Sequence, residues 1–454
     1  MTATIMNIVN KINGVLWGPI MMFILLGTGL MFTIRLRFLQ VTKLGTAIKE
    51  IFGKGENKSD AEGLSSFQSL TTAIAAQVGT GNLAGVATAI ASGGPGAIFW
   101  MWVSGFLGMG TIFAEAVLAQ LFNESKDGVL TGGPAYYISK GLKNKFLAGF
   151  FAVTIIIALG IMGNIVQSNS IATAIINAAP RVPAIVIGIG IAILAGLIFI
   201  GGIGRIGSFT EKVVPIMAAL YILGGLVIVF ININMLLPAL KMIIYGAFNP
   251  RAATGGLIGV TVKESLRYGI ARGLFSNEAG MGSTPHAHAV AKVEHPVQQG
   301  LVSIIGVIVD TGIVCTITAL VVLTTGVLGS GLTGAALTQE GFRVGLSGIT
   351  SNFGIQFIAV CLFFFAFSTI IGWYFFGEQN IKYLFGNKGI KYYRILVLAG
   401  IIIGATLEVE LVWNLADMFN ALMVIPNLIG LIGLSSLVVK SLNEYIEKYE
   451  KRLR

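Results

Sequence analysis

The chain has 454 residues, of which 55% are hydrophobic and 11% charged, with a mean hydropathy of +0.85. Soluble domains carry charge on about 25% of residues, so this composition excludes a soluble globular domain and specifies a polytopic membrane protein. The net charge of +10 does not argue for nucleic acid as a partner, because the basic residues fall between apolar runs, where they set orientation in the bilayer.

Runs of about 20 apolar residues mark helices that cross the membrane. They cover residues 14–34, 65–92, 97–122, 146–178, 183–202 and 209–233, then 256–283, 297–327, 353–377, 392–407 and 410–439, which makes 11 transmembrane helices in an all-α chain. Residues 235–255 read as an irregular connector, and 249–251 and 332–348 as polar or glycine-rich loops with short surface helices. The N-terminus has no basic region ahead of its first apolar run and no small-residue cleavage site, so that run is expected to remain as an anchor. Cys315 and Cys361 lie inside apolar runs, without neighbours at metal-ligand spacing, and read as small core residues.

Lysine and arginine test this count, because cytoplasmic loops collect them. Alternate loops hold 22 on one side and five on the other, while Lys263, Arg267 and Arg272 fall inside a run. The N-terminus is therefore expected outside the cell membrane and the C-terminus in the cytoplasm. Residues 1–64 form an extra N-terminal helix with an amphipathic cytoplasmic linker. The other ten runs divide into five at 65–234 and five at 256–439, joined by an extracellular connector at 235–255 and followed by a basic cytoplasmic tail at 440–454. Five is odd, so the second group enters from the opposite side, and structural kinship between the groups would make an inverted repeat.

Each group opens with an interrupted run, a pointer to a transporter binding site. The first, 71–94, carries Gly79, Thr80, Gly81 and Asn82 at its middle, residues that favour unwound backbone. Hydrocarbon tolerates free N–H and C=O groups only where protein or a cavity receives them. Amides at Gly79, Thr80 and Gly81 suit a carboxylate, and carbonyls from Ala75 to Val78, with the side chains of Gln77 and Asn82, suit a small hard cation. Glycines that only permit close helix packing are the alternative, but packing does not call for Gln, Thr and Asn at one depth. The second interruption is expected at 271–278, where Phe275 can wall a pocket and Ser276 and Asn277 offer a hydroxyl and an amide. Arg272 and Glu278 there form a structural ion pair, or Arg272 contacts a ligand.

In the run 353–377, Ser368 and Thr369 follow Phe365 in an apolar setting. Such hydroxyls either bond back to the preceding turn or coordinate sodium. Trp373, one turn beyond Thr369, can close the pocket. Glu115 and Asp310 are single carboxylates inside runs; each can relay protons, hold a cation or lock helices together, and locking is the expectation for Glu115. Asn164, Gln167 and Asn169 are expected to look into the bundle, where one of them can reach a substrate. His286, His288 and His295 read as solvated loop histidines rather than metal ligands. The serines lack His and Asp partners at one membrane depth, so an enzyme is not expected.

GTGN at 79–82, GGPGAIFWMW at 93–102 and RGLFSNEAGMGSTPHAHA at 272–289 resemble the alanine/glycine:cation symporter family, over essentially the whole chain. More distantly, the Gly-Asn break, the GG-x-G-A turn, Glu115 and the Ser/Thr pair resemble neurotransmitter:sodium symporters. That likeness implies a five-plus-five inverted-repeat fold and one sodium ion held by the main-chain oxygens of Ala75 and Val78, a carbonyl near Phe365 and the hydroxyls of Ser368 and Thr369. It also implies a substrate carboxylate on the amides around Thr80 and Gly81, facing Phe275 to Asn277. Asp310 and Thr311 stand where those distant relatives have Asn, which leaves a second sodium site unsupported.

The expectation is sodium-coupled symport of alanine or glycine by alternating access, with no organic cofactor and a monomer as sufficient. Substrate contacts are expected at Gln77, Gly79, Thr80, Gly81, Asn82, Gln167, Phe275, Ser276, Asn277 and Trp373, and sodium contacts at Ala75, Val78, Phe365, Ser368 and Thr369. Proton coupling through Glu115 or Asp310, and a passive channel, are the alternatives.

Overall fold

The computed structural model describes residues 2–52, 62–249, 261–348, 353–407 and 410–450. The N-terminal apolar run forms α1 (Thr2–Leu16) and α2 (Pro19–Arg35), parted at Gly18, where Pro19 opens the second helix. Its missing N–H would have had no partner in the first turn anyway. After the short α3 (Leu44–Ile51), the first interrupted run appears as α4 (Ser66–Gln77) and α5 (Gly81–Gly93), bent by 50°. Ser65 and Gln68 cap α4 reciprocally, which fixes where it starts.

Then come α6 (Ala97–Leu121), a hairpin of β1 (Glu124–Lys126) and β2 (Val129–Thr131), α7 (Pro134–Gly141) and α8 (Lys145–Ala178), which winds as a π-helix over Ile156–Gly163. The first half closes with α9 (Ala184–Phe199) and α10 (Gly202–Ile231). In the second half, α11 (Ile233–Phe248), α12 (Val262–Asn277) and the single-turn α13 (Pro285–Ala289) precede α14 (Pro296–Thr324), which is π-wound over Ile308–Cys315. The remainder is α15 (Gly334–Gly345), α16 (Phe353–Phe385), α17 (Lys388–Gly404), α18 (Glu410–Gly433) and α19 (Ser435–Tyr445).

Among the described residues, seven helices are long and apolar enough to cross a membrane, and the bent pair makes an eighth. The protein is thus an all-α polytopic membrane protein. Of the other expected spans, α9 and α12 have 16 residues each and α17 has 17, under the roughly 20 that a straight crossing needs. α16 is enclosed on every side from Phe365 to Ile381, its polar residues Ser368, Thr369, Glu378, Gln379 and Asn380 included. The outer helices behave oppositely: Ile216, Leu223, Phe230 and Ile231 of α10 are exposed, a surface suited to lipid.

Two expectations about connectors change. The segment expected to be irregular at 235–255 is helical through Phe248, the rest lying outside the described residues. Pro238 sits early in α11, where its absent N–H removes few ladder bonds, and Ala239, Ile243 and Ala247 pack fully buried toward α6. The loop expected at 332–348 is α15, and it is no surface helix: Leu337, Thr338 and Phe342 are fully buried, and the Thr338 hydroxyl donates to the Leu83 carbonyl at 2.9 Å. α19 itself runs past 440 as far as Tyr445, which is buried and donates to Glu50 Oε1 at 2.8 Å.

Candidate functional site

The first break unwinds at 78–80. Val78 takes extended backbone at the end of α4, and α5 begins with a π-turn at Gly81–Gly85. Asn82 Oδ1 accepts the Gly79 amide at 2.9 Å, so this amide is capped from within the break. The Thr80 and Gly81 amides have no protein acceptor among the described residues. Two N–H donors thus remain free at the start of α5, the arrangement that attracts an anionic group.

The carbonyl end of α4 meets α16. Thr369 Oγ1 lies 3.0 Å from the Ala75 carbonyl oxygen and 2.9 Å from that of Phe365, and Ser368 Oγ lies 3.4 Å and 2.9 Å from the same two oxygens. Two hydroxyl protons cannot fill every lone pair on two hydroxyl and two carbonyl oxygens, so the cluster is an oxygen-rich patch in a dry interior. Such a patch suits a hard cation. Gly79 permits the approach: a Cβ at that position would stand 2.5 Å from Thr369 Oγ1. Val78 belongs to the same unwound turn.

The second break is displaced from its expected place. Residues 271–277 are helical, and the chain turns instead at Glu278 (φ 57), Gly280 (φ 84) and Gly282 (φ 83). Gly273 serves packing, since a Cβ there would come within 2.3 Å of Ser104 Oγ on α6. Glu115 takes the freed amides of Gly280 (3.0 Å) and Gly282 (2.9 Å), while Asn427 donates to Glu115 at 2.7 Å and to the Gly280 carbonyl at 2.9 Å. The locking role expected of Glu115 therefore has a definite object, the unwound chain itself.

The two breaks touch. Gln77 Nε2 donates to the Asn277 carbonyl at 2.7 Å, and a Cβ on Gly81 would lie 3.7 Å from both the Phe275 ring and the Ser276 Cα. Between them sits Asp310, whose role the sequence left open. Its carboxylate accepts from Asn82 Nδ2 (2.6 Å), Ser276 Oγ (2.9 Å) and Thr311 Oγ1 (2.7 Å), and Cys315 Sγ lies 3.3 Å from both Asn82 and Ser276. Cys315 is therefore more than core filling. Asp310 lies in the π-wound part of α14, and such bulges often mark functional sites; the sequence carried no sign of that winding.

The remaining candidates separate. Gln167 donates to Thr80 Oγ1 at 3.2 Å, whereas Asn164 bonds its own helix at Gly160 and Asn169 turns to the carbonyls of Gly404 and Leu407. Among the described residues, Gln77 Oε1 and Gln167 Oε1 are buried without a protein partner. A cavity of about 240 Å³ reaches Thr80 past Ala174 and Trp413. Trp373 donates its indole N–H to Glu278 Oε1 at 2.8 Å, and Ser283 binds the other oxygen at 2.5 Å. Glu278 is thereby engaged away from Arg272, so the ion pair offered for these two residues is not formed. His286 and His288 are not solvated either. His286 is buried between Phe151 and Phe376 with its ring nitrogens against the Ser283 carbonyl and Asn380, and His288 is buried against Gln299. Half-buried His295 caps α14. His286 and His288 serve packing and His295 a helix cap, which a count of nearby charged residues could not reveal.

The chain is 45% identical to the sodium/alanine symporter AgcS of Methanococcus maripaludis, with 98% of this chain and 99% of the relative covered. It is 40% identical to the putative sodium/proton-dependent alanine carrier protein YrbD of Bacillus subtilis (98% and 93% covered) and 41% identical to the probable sodium/glutamine symporter GlnT of the same organism (97% and 90% covered). The sequence profile of the sodium:alanine symporter family matches residues 2–454, and with these relatives it shows that the chain belongs to that family.

Proposed function

We propose that the protein carries small neutral amino acids, alanine or glycine, across the cell membrane together with sodium by alternating access. The observation that carries the reading is the convergence of Ser368, Thr369 and the Ala75 and Phe365 carbonyls beside the first break. In this reading the ion binds there, with Val78 as a further main-chain ligand. The substrate carboxylate lies on the Thr80 and Gly81 amides, and the partnerless acceptors Gln77 Oε1 and Gln167 Oε1 face its ammonium group. Asn82, Ser276 and Asn277 complete the polar wall, while Phe275 and Trp373 close it on the apolar side.

Ion and zwitterion share one unwound segment, so each stabilises the arrangement that the other needs. Movement then follows from one helix bundle rocking against the other around the site. The fold that serves this reading has an extra N-terminal helix, 1–64, and inverted five-helix groups at 65–234 and 256–439 joined through 235–255. The N-terminus lies outside, the basic tail from 440 onward lies in the cytoplasm, and one chain is sufficient. The ion's charge also responds to membrane potential, by about 2.3 kcal/mol per 100 mV.

Proton coupling is the second reading, and Asp310 favours it: among the described residues its buried carboxylate is met by three neutral donors and no basic side chain. Alanine uptake into proteoliposomes separates the two. An inward sodium gradient is expected to drive accumulation and its replacement by choline to stop it. Accumulation that follows a pH gradient and ignores choline substitution would overturn sodium coupling.

A further inference from the structure

Arg272 lines a cavity distinct from the one that reaches Thr80. This outer cavity measures about 370 Å³, within the range of small-molecule pockets, roughly 300–1,000 Å³. Its walls come from three elements: Asn13 and Trp17 at the end of the N-terminal helix, Arg272 and Phe275 of α12, and Asp417 of α18. The extra helix is fastened there, because Trp17 Nε1 donates to the Asp417 carbonyl at 2.9 Å and Asn13 Nδ2 to the Asn414 carbonyl at 2.8 Å. Phe275 is the partition, with its ring toward Gly81 of the first break and its residue on the wall of the outer cavity.

Two opposite charges meet this space. Arg272 and Asp417 line it together, both half-buried, yet no ion pair joins them among the described residues. A pair held apart across a cavity is complementary to a molecule that carries both signs. Arg267, the other cation on this wall, lies over the Tyr268 ring, and Asn13 Oδ1 is enclosed without a partner among the described residues.

We propose that this cavity is a second, outer binding site for a zwitterionic amino acid, with Arg272 receiving the carboxylate, Asp417 the ammonium group, and the N-terminal helix as its outer wall. A guanidinium fork suits a carboxylate in bidentate fashion, and Phe275 is the side chain that must turn for the ligand to pass inward. The site rests on the amino-acid symport reading and assigns to the N-terminal helix a task in substrate capture.

The test is the stoichiometry of radiolabelled alanine bound to the full chain in nanodiscs with sodium. Two equivalents are expected for the unaltered protein, one for Arg272→Gln and one for Asp417→Asn, with two retained in Arg272→Lys. The equivalent that remains in each neutralised variant stays sodium-dependent, which also shows that the variant is folded. One equivalent in the unaltered protein overturns the outer site and leaves the symport reading standing. No alanine binding in any form overturns both. Loss of both equivalents in Arg272→Gln and Asp417→Asn, at unchanged thermal stability, would assign these residues to the inner site and overturn the outer one.

Discussion

Thr369 and Gly79 show how narrow the margin at the proposed ion site is. The hydroxyl of Thr369 stands where any side chain on residue 79 would intrude, so glycine here serves close approach rather than a positive φ. Removing the two hydroxyls of α16 takes two oxygens from the patch and leaves the helix otherwise intact. Ser368→Ala with Thr369→Ala is therefore expected to raise the sodium concentration for half-maximal alanine uptake at least about tenfold, a cost of about 1.4 kcal/mol. A sodium titration of uptake reads this directly, and an unchanged half-saturation point would remove the ion from this place. The same pair was legible in the sequence as two adjacent hydroxyls in an apolar run. Asp310 was legible only as a buried charge: its partners Asn82 and Ser276 lie 228 and 34 positions away along the chain, and no local pattern encodes such a meeting.

At the level of elements, the first break follows from its own residues, because Gly79 to Asn82 cannot all be helical without leaving Asn82 short of the cap that it makes. The second did not read correctly. Glycines at 269 and 273, four apart on one face of α12, fit it against α6, where a Cβ would meet Ala97 O at 2.2 Å and Ser104 Oγ at 2.3 Å; the glycines that turn the chain are Gly280 and Gly282. Packing glycines and turning glycines look alike until backbone angles are known. The turned segment depends on Glu115, which accepts two of its amides. Glu115→Ala would leave those donors unmatched at about 1–3 kcal/mol each, so it is expected to lower the thermal unfolding temperature clearly, and Glu115→Gln to lower it less. Melting of purified protein in detergent checks the order, and equal stability of all three forms would deny Glu115 its locking role.

Across the whole molecule, composition was enough to specify an all-α membrane protein, and the apolar runs located most of its helices. Connectors were harder, since α11 and α15 owe their burial to distant helices rather than to their own periodicity. What unites the molecule is that the first break, Asp310 and the hydroxyls of α16 gather in one buried interior, so that in the proposed reading ion and substrate affinities depend on each other. Linkage makes that dependence reciprocal. Equilibrium alanine binding to the purified protein, measured in sodium and in choline, together with sodium binding measured with and without alanine, tests it without any membrane. Alanine affinity is expected to rise about tenfold or more in sodium, and sodium affinity by the same factor in saturating alanine. Alanine binding of equal strength in choline and sodium would contradict the shared site.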